Sequence, residues 1–225
     1  MKITANIATM KGREHHLQAT LLNLYDQFDK IRIVFNGFNE VPWFAGHPKI
    51  EPILPDTDLT DNGKFYSLDN KRKEYYFTMD DDIHYPNNYV EKTIEAIEKF
   101  KCIVTYHGRI LNPLATTYYR GGHEFFHCNR GDHGNLRLDV CGTGVTAFRT
   151  DYFCPVGLHK HPYQRMSDLV FSLEVAKQGK VLGLIEKPSN WIIPQEVQTS
   201  IYSTESNKKQ EKQIELMYEI LQTNN

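Results

Sequence analysis

Residues 2–38, KITANIATMKGREHHLQATLLNLYDQFDKIRIVFNGF, limit the possible folds of this chain more than any other stretch. KITANIAT reads as a strand that ends in a loop at Lys11, Gly12 and Arg13. Leu17, Leu21, Leu24 and Phe28 then recur at helical spacing, so HHLQATLLNLYDQF is an amphipathic helix. KIRIVFNGF is a second strand, stopped by Asn36 and Gly37. Strand, helix, strand implies parallel pairing with a right-handed crossover. The fold class is therefore α/β, with a mixed, mostly parallel sheet flanked by helices.

The rest of the first hundred residues keeps this rhythm. A connection through Pro42, Pro48, Pro52 and Pro55 includes IEPIL, a short strand. TDLTDNGKFYSLDN supplies a loop and a short helix. The strand EYYFTM follows, and then the helix PNNYVEKTIEAIEKF, with Pro86 in its first turn. CIVTYHG is another strand. From Gly108 to Asn135 the chain is rich in Gly, His and aromatics without a clean period, and so long an irregular segment is usually functional. Beyond it come LDVCGTGVTAFRT, the helix DLVFSLEVAKQG closed by Gly179, and the strand KVLGLIEK. A last helix carries Ile214, Met217, Tyr218 and Leu221 on one face.

Among 225 residues, 26 Lys and Arg face 28 Asp and Glu, so no global charge attracts nucleic acid. No apolar run approaches the roughly 18 residues of a membrane span, and the N-terminus lacks the apolar core of a signal peptide. Cys102, Cys128, Cys141 and Cys154 form no CxxC pair, which reads as four reduced thiols in a cytoplasmic protein.

Chemistry concentrates at the strand ends, where ligands of open α/β sheets bind. Asp80, Asp81 and Asp82 directly follow YYFTM. Three adjacent carboxylates repel, and a divalent cation shared by Asp80 and Asp82 would offset that; hard oxygen ligands select Mg2+ or Mn2+. HEFFH, His123 to His127, matches the zinc-protease pattern HExxH. That chemistry needs His123 and His127 on one helix face with Glu124 as base, and the glycines around the motif leave little room for a helix. Lys64 in DNGKF reads either as a solvated loop lysine or as a point charge neutralising a phosphate, although no P-loop surrounds it. Asp168 in QRMSDLVFSLEV serves either as a helix cap or as a carboxylate handling an acceptor hydroxyl. His159 and His161 precede it as further candidates for the metal shell.

The stretches DNGKF, FTMDDDIHYPNNYVEK, CIVTYHG, CGTGVTAF, YQRMSDLVFS and EKPSNWI together resemble the GT-A glycosyltransferases. The likeness is greatest to the bacterial capsule α-N-acetylglucosaminyltransferases that build heparosan. It implies a Rossmann-like GT-A domain over 1–203, with a nucleotide-sugar half (1–107), an acceptor half (108–203) and a C-terminal amphipathic helix (204–225). It also implies transfer of GlcNAc from UDP-GlcNAc to a surface glycan, with retention and with Mn2+ or Mg2+ as cofactor. Asp82 would ligate the metal, Asp80 would assist or contact the ribose, and Asp81 would lie near the sugar. Arg13 and Lys64 would face the diphosphate, and Asn6, Thr9 and Asn36 the base. His107, Gly142, Thr143, Gly144 and Trp191 would line the acceptor side, and Asp168 would stand near the reacting centre. The implied partners are a UDP-sugar, a glycan acceptor, and a partner transferase or membrane-associated capsule complex at the inner membrane face. The alternatives are a zinc hydrolase built on His123, Glu124 and His127, and a non-catalytic sugar-nucleotide-binding subunit. The segment Arg109–Asn135 departs from the likeness.

Overall fold

In the computed structural model, which describes residues 1–196 and 210–224, the opening βαβ unit forms as its periodicity predicts. In chain order the elements are β1 (Lys2–Met10), α1 (Glu14–Leu21), β2 (Lys30–Asn36), β3 (Ile50–Ile53), β4 (Glu74–Met79) and β5 (Ile83–His84). Next come α2 (Tyr89–Phe100), β6 (Ile103–Thr105), β7 (Gly108–Ile110), β8 (Glu124–Phe126), β9 (Leu136–Leu138) and β10 (Val140–Cys141). The series closes with β11 (Val145–Arg149), α3 (Ser167–Lys177), β12 (Leu182–Leu184), β13 (Ile193–Pro194) and α4 (Gln210–Asn224). Short 3-10 helices lie at Trp43–Gly46, Thr60–Phe65 and Leu158–Lys160.

One eight-stranded sheet, ordered β3-β2-β1-β4-β11-β6-β12-β9, organises a single mixed α/β domain of Rossmann-like type. Pairs β2–β3, β1–β2, β1–β4 and β6–β12 are parallel, whereas β11 and β9 run antiparallel to their neighbours. Strand alternation divides the core between the sheet's two faces. Ala5, Ile7, Phe77 and Met79 join Leu17, Leu21 and Ile97 from α1 and α2 in one cluster. Tyr76, Ile103 and Phe148 join Phe171 of α3 and Met217 of α4 in the other.

Three element predictions shift. The helix α2 begins at Tyr89, so Pro86 stands in the turn before it rather than in its first turn, its carbonyl accepting from the Tyr89 amide (3.0 Å). The first helix ends at Leu21, seven residues early, yet Leu24 and Phe28 stay buried as the chain turns onto the sheet. In the last helix the buried face is Gln213, Leu216, Met217 and Ile220. Tyr218 is instead 38% exposed and reaches the Ala115 carbonyl with its hydroxyl (3.0 Å), because α4 is clamped between α3 and that loop. The beginning of this helix as read from sequence lies outside the described residues. Among the described residues, no helix is long and apolar enough to cross a membrane.

Strands β1, β2, β4 and β6 all point their carboxyl ends at one edge of the sheet, where antiparallel β11 begins. The order reverses beside β1: β2 and β3 continue on one side, and β4 returns on the other. Such a switch point opens a crevice between diverging loops.

Candidate functional site

A cavity of about 1170 Å³ opens at this edge. Thr9 and Arg13 follow β1, Asn36 ends β2, Asp80 to Asp82 follow β4, and His107 follows β6; all line it. Lys64 enters from the 3-10 helix, Gly142 to Gly144 from the turn before β11, and Asp168 from the start of α3. Thus twelve of the fourteen predicted site residues meet in one place. Asn6 does not: it is 2% exposed within the sheet, with Nδ2 directed at the Phe77 carbonyl (3.3 Å). Trp191 does not either. Its ring packs on Tyr89 and Tyr106, and its N–H donates to Asn88 Oδ1 (3.1 Å). His159 and His161 lie outside the cavity, against Tyr66 and Tyr163.

The three aspartates are balanced by cations of the chain itself. Lys64 donates to Asp80. Arg13 reaches Asp81 at 2.8 Å and Asp82 at 2.5 Å, and the Thr9 hydroxyl donates to Asp81 at 2.6 Å. Burial pushes the Asp81 carboxyl up to about 6 against the pull of Arg13 and Thr9. Burial, then Asp80, raises Asp82, with Arg13 opposing. Tyr85 fixes the turn: its hydroxyl accepts from the Asp80 amide (2.9 Å) and donates to the Gly144 carbonyl (2.6 Å).

The set able to chelate a metal lies elsewhere on the cavity wall. Among the described residues, His107, His127 and Cys128 present ligand atoms that all fall within 4.8 Å of one another. The antiparallel pairing of β7 with β8 brings them together, since its register continues to His107 opposite His127. Beyond Phe126 the strand ends, so adjacent His127 and Cys128 are no longer forced onto opposite faces. The His107 ring lies directly on Gly142: a Cβ there would sit 2.5 Å from the imidazole Cδ2. On the same tripeptide a Cβ at Gly144 would sit 2.0 Å from an Asp80 oxygen. Asp168 holds this turn from behind, accepting from the Thr143 amide and hydroxyl, both at 2.7 Å. Burial raises its carboxyl, and those two bonds oppose the rise.

The donor chemistry fits zinc. Two imidazoles and a thiol are the borderline-soft ligands that Zn2+ takes, whereas Mg2+ and Mn2+ prefer carboxylate oxygens. Burial, helped by His127 and Arg109, holds His107 down to about 3, which keeps the imidazole neutral as a ligand must be. His127 Nδ1 pairs with Asn129 Oδ1 (2.7 Å), an outer partner of the kind that orients metal-bound imidazoles. Burial pushes the Cys128 thiol up to about 12, and Lys187 pulls the other way.

These observations correct the expectation of a glycosyltransferase. The convergent metal-binding set is His/His/Cys, not an Asp-x-Asp carboxylate pair, so the assignment of Mn2+ or Mg2+ to Asp82 and Asp80 is overturned. The activity that depended on it, sugar transfer from UDP-GlcNAc with the metal steadying the diphosphate, falls with it. The zinc alternative fares better, though with different ligands. HEFFH is not helical: Glu124 to Phe126 form a strand, on which residues four apart are roughly 13 Å apart along the chain. Both ring nitrogens of His123 are engaged, by the Asn112 amide (3.0 Å) and the Thr117 carbonyl (3.2 Å). Glu124 is exposed and does not line the cavity. Only His127 of that motif is in the cluster, with partners twenty residues upstream and one downstream. Cys128 was missed because it belongs to no CxxC pair; the adjacent His127–Cys128 dipeptide inside the aperiodic segment was the available signal.

No protein-family model matches the chain, and no curated protein matches it.

Proposed function

We propose that this protein is a zinc-dependent hydrolase whose ion is held by His107, His127 and Cys128. The observation that carries the reading is the convergence of these three soft donors on the wall of a large, open cavity. Three protein ligands, rather than the four of a closed structural site, leave one coordination position for water or substrate. Zinc bound there supplies Lewis acidity and a water activated near neutral pH.

The surrounding residues have matching tasks. Asp80 flanks the same glycine turn that supports His107, and its charge is felt at both His107 and Cys128. Its side chain is 38% exposed, the most open of the three aspartates, so it is placed to accept the proton that an attacking water loses. Lys64 and Tyr85 hold Asp80 from either side. Asp81, Asp82 and Arg13 form a closed ion-pair cluster that keeps the β4 turn rigid beneath it.

Protein purified without chelators tests this by elemental analysis. Wild type is expected to carry about one zinc per chain, and the Cys128→Ser and His107→Ala variants to carry little. Hydrolysis of a chromogenic ester and phosphoester panel should fall at least 100-fold in both variants and on chelation. A wild type without zinc, or variants that retain it in full, would refute the reading.

A further inference from the structure

The same two-stranded ladder that positions His107 and His127 carries a second same-face pair one step on, Arg109 opposite Phe125. The Arg109 guanidinium lies over Phe125 at 4.5 Å, over Tyr118 at 4.8 Å and near Tyr119 at 5.7 Å. Stacking covers the flat faces of the fork and leaves its N–H edge to find acceptors. That edge makes one long contact, to the Tyr118 carbonyl at 3.5 Å, out of five N–H donors. Among the described residues no carboxylate pairs with it, whereas Arg13 and Lys64 on the opposite wall are both consumed by the aspartates. None of its nitrogens is both buried and unpartnered, and the residue lines the cavity, so the donors face the open space.

We infer that Arg109 is the specificity-determining residue of this site, and that the substrate carries an anionic group, a carboxylate or a phosphate, beside the bond that is cut. The inference rests on the hydrolase reading. The guanidinium edge matches both anions in bidentate fashion. His107 and Arg109 both pack on Phe125, with their Cα atoms roughly 6–7 Å apart for two residues of extended chain, so an anion held by Arg109 lies on the same side of the ladder as the metal ligand. The aromatic clamp fixes the fork before binding, so little side-chain freedom is lost when the anion arrives.

Inorganic phosphate and acetate are the probes. Each is titrated calorimetrically into zinc-loaded and chelator-treated protein, for wild type and Arg109→Gln. The expected result is binding at least tenfold weaker in Arg109→Gln in both metal states, with zinc content equal to wild type. Tighter binding of phosphate or of acetate then assigns the anion class. Equal affinity of Arg109→Gln and wild type overturns the proposal, as does binding that vanishes on zinc removal alone. If wild type holds no zinc, the hydrolase reading fails, while the chelator-treated titration still reports on Arg109.

Discussion

Asp81 shows how a single buried group sets a pH dependence. Its carboxyl is raised to about 6 from the ordinary 3.8, because burial outweighs the help of Arg13 and Thr9. The folded state therefore holds a proton that the unfolded chain has already released between those values. The contribution to stability is full below about pH 4 and is lost as pH rises through about 6. Two units correspond to roughly 3 kcal/mol. Relative to Asp81→Asn, wild type should lose about that much stability between pH 4 and 7, read from urea midpoints. Parallel profiles for the two proteins would contradict it. In sequence, repulsion among the three aspartates invites a metal shared by Asp80 and Asp82, with Asp81 left to the sugar. What separates them is their partners, Lys64 sixteen residues away and Arg13 nearly seventy, which proximity in the chain does not reveal.

At the scale of elements, β1 is the pivot, and a buried ion pair bridges its two neighbours. Arg32 on β2 and Glu74 on β4 meet at 2.8 and 3.1 Å, and both side chains are at most 5% exposed. Removing one partner strands the other charge. Glu74→Ala should cost about 3–5 kcal/mol, and the Arg32→Met/Glu74→Leu double variant far less, since buried apolar replacements often match an ion pair. Thermal melts of the three proteins decide it; a double variant as unstable as the single would show that the pair stabilises by more than its charge balance. Most strands and helices here were legible from period alone. The exceptions were α1, which stops early because Leu24 and Phe28 pack onto the sheet from a turn, and α4, whose face is set by α3 and Ala115. β7 and β8 were not legible, because strands of three residues carry too few alternations to register.

For the whole molecule, the proposed zinc links two sheets: His107 follows a strand of the main one, whereas His127 and Cys128 follow the three-stranded one. A ligand bound only by the folded state adds about 2.7 kcal/mol at a hundredfold excess over its Kd. Chelation should thus lower Tm by about 5–10 °C in wild type and leave Cys128→Ser unmoved, as measured by calorimetry. Equal responses would argue against a bound metal at this cluster. Hydrophobic period and turn chemistry are local signals, and they sufficed for the α/β class and for the strand ends as candidate positions; the family resemblance supplied most of the twelve residues that meet there. Which of those residues face one another follows from long-range packing alone. It put the residues able to chelate a metal at His107, His127 and Cys128 rather than at the aspartates, since their meeting depends on a strand pairing across twenty residues. Among the described residues it also left Arg109 without a paired carboxylate, which a sequence cannot reveal because ion pairing depends on where distant side chains lie.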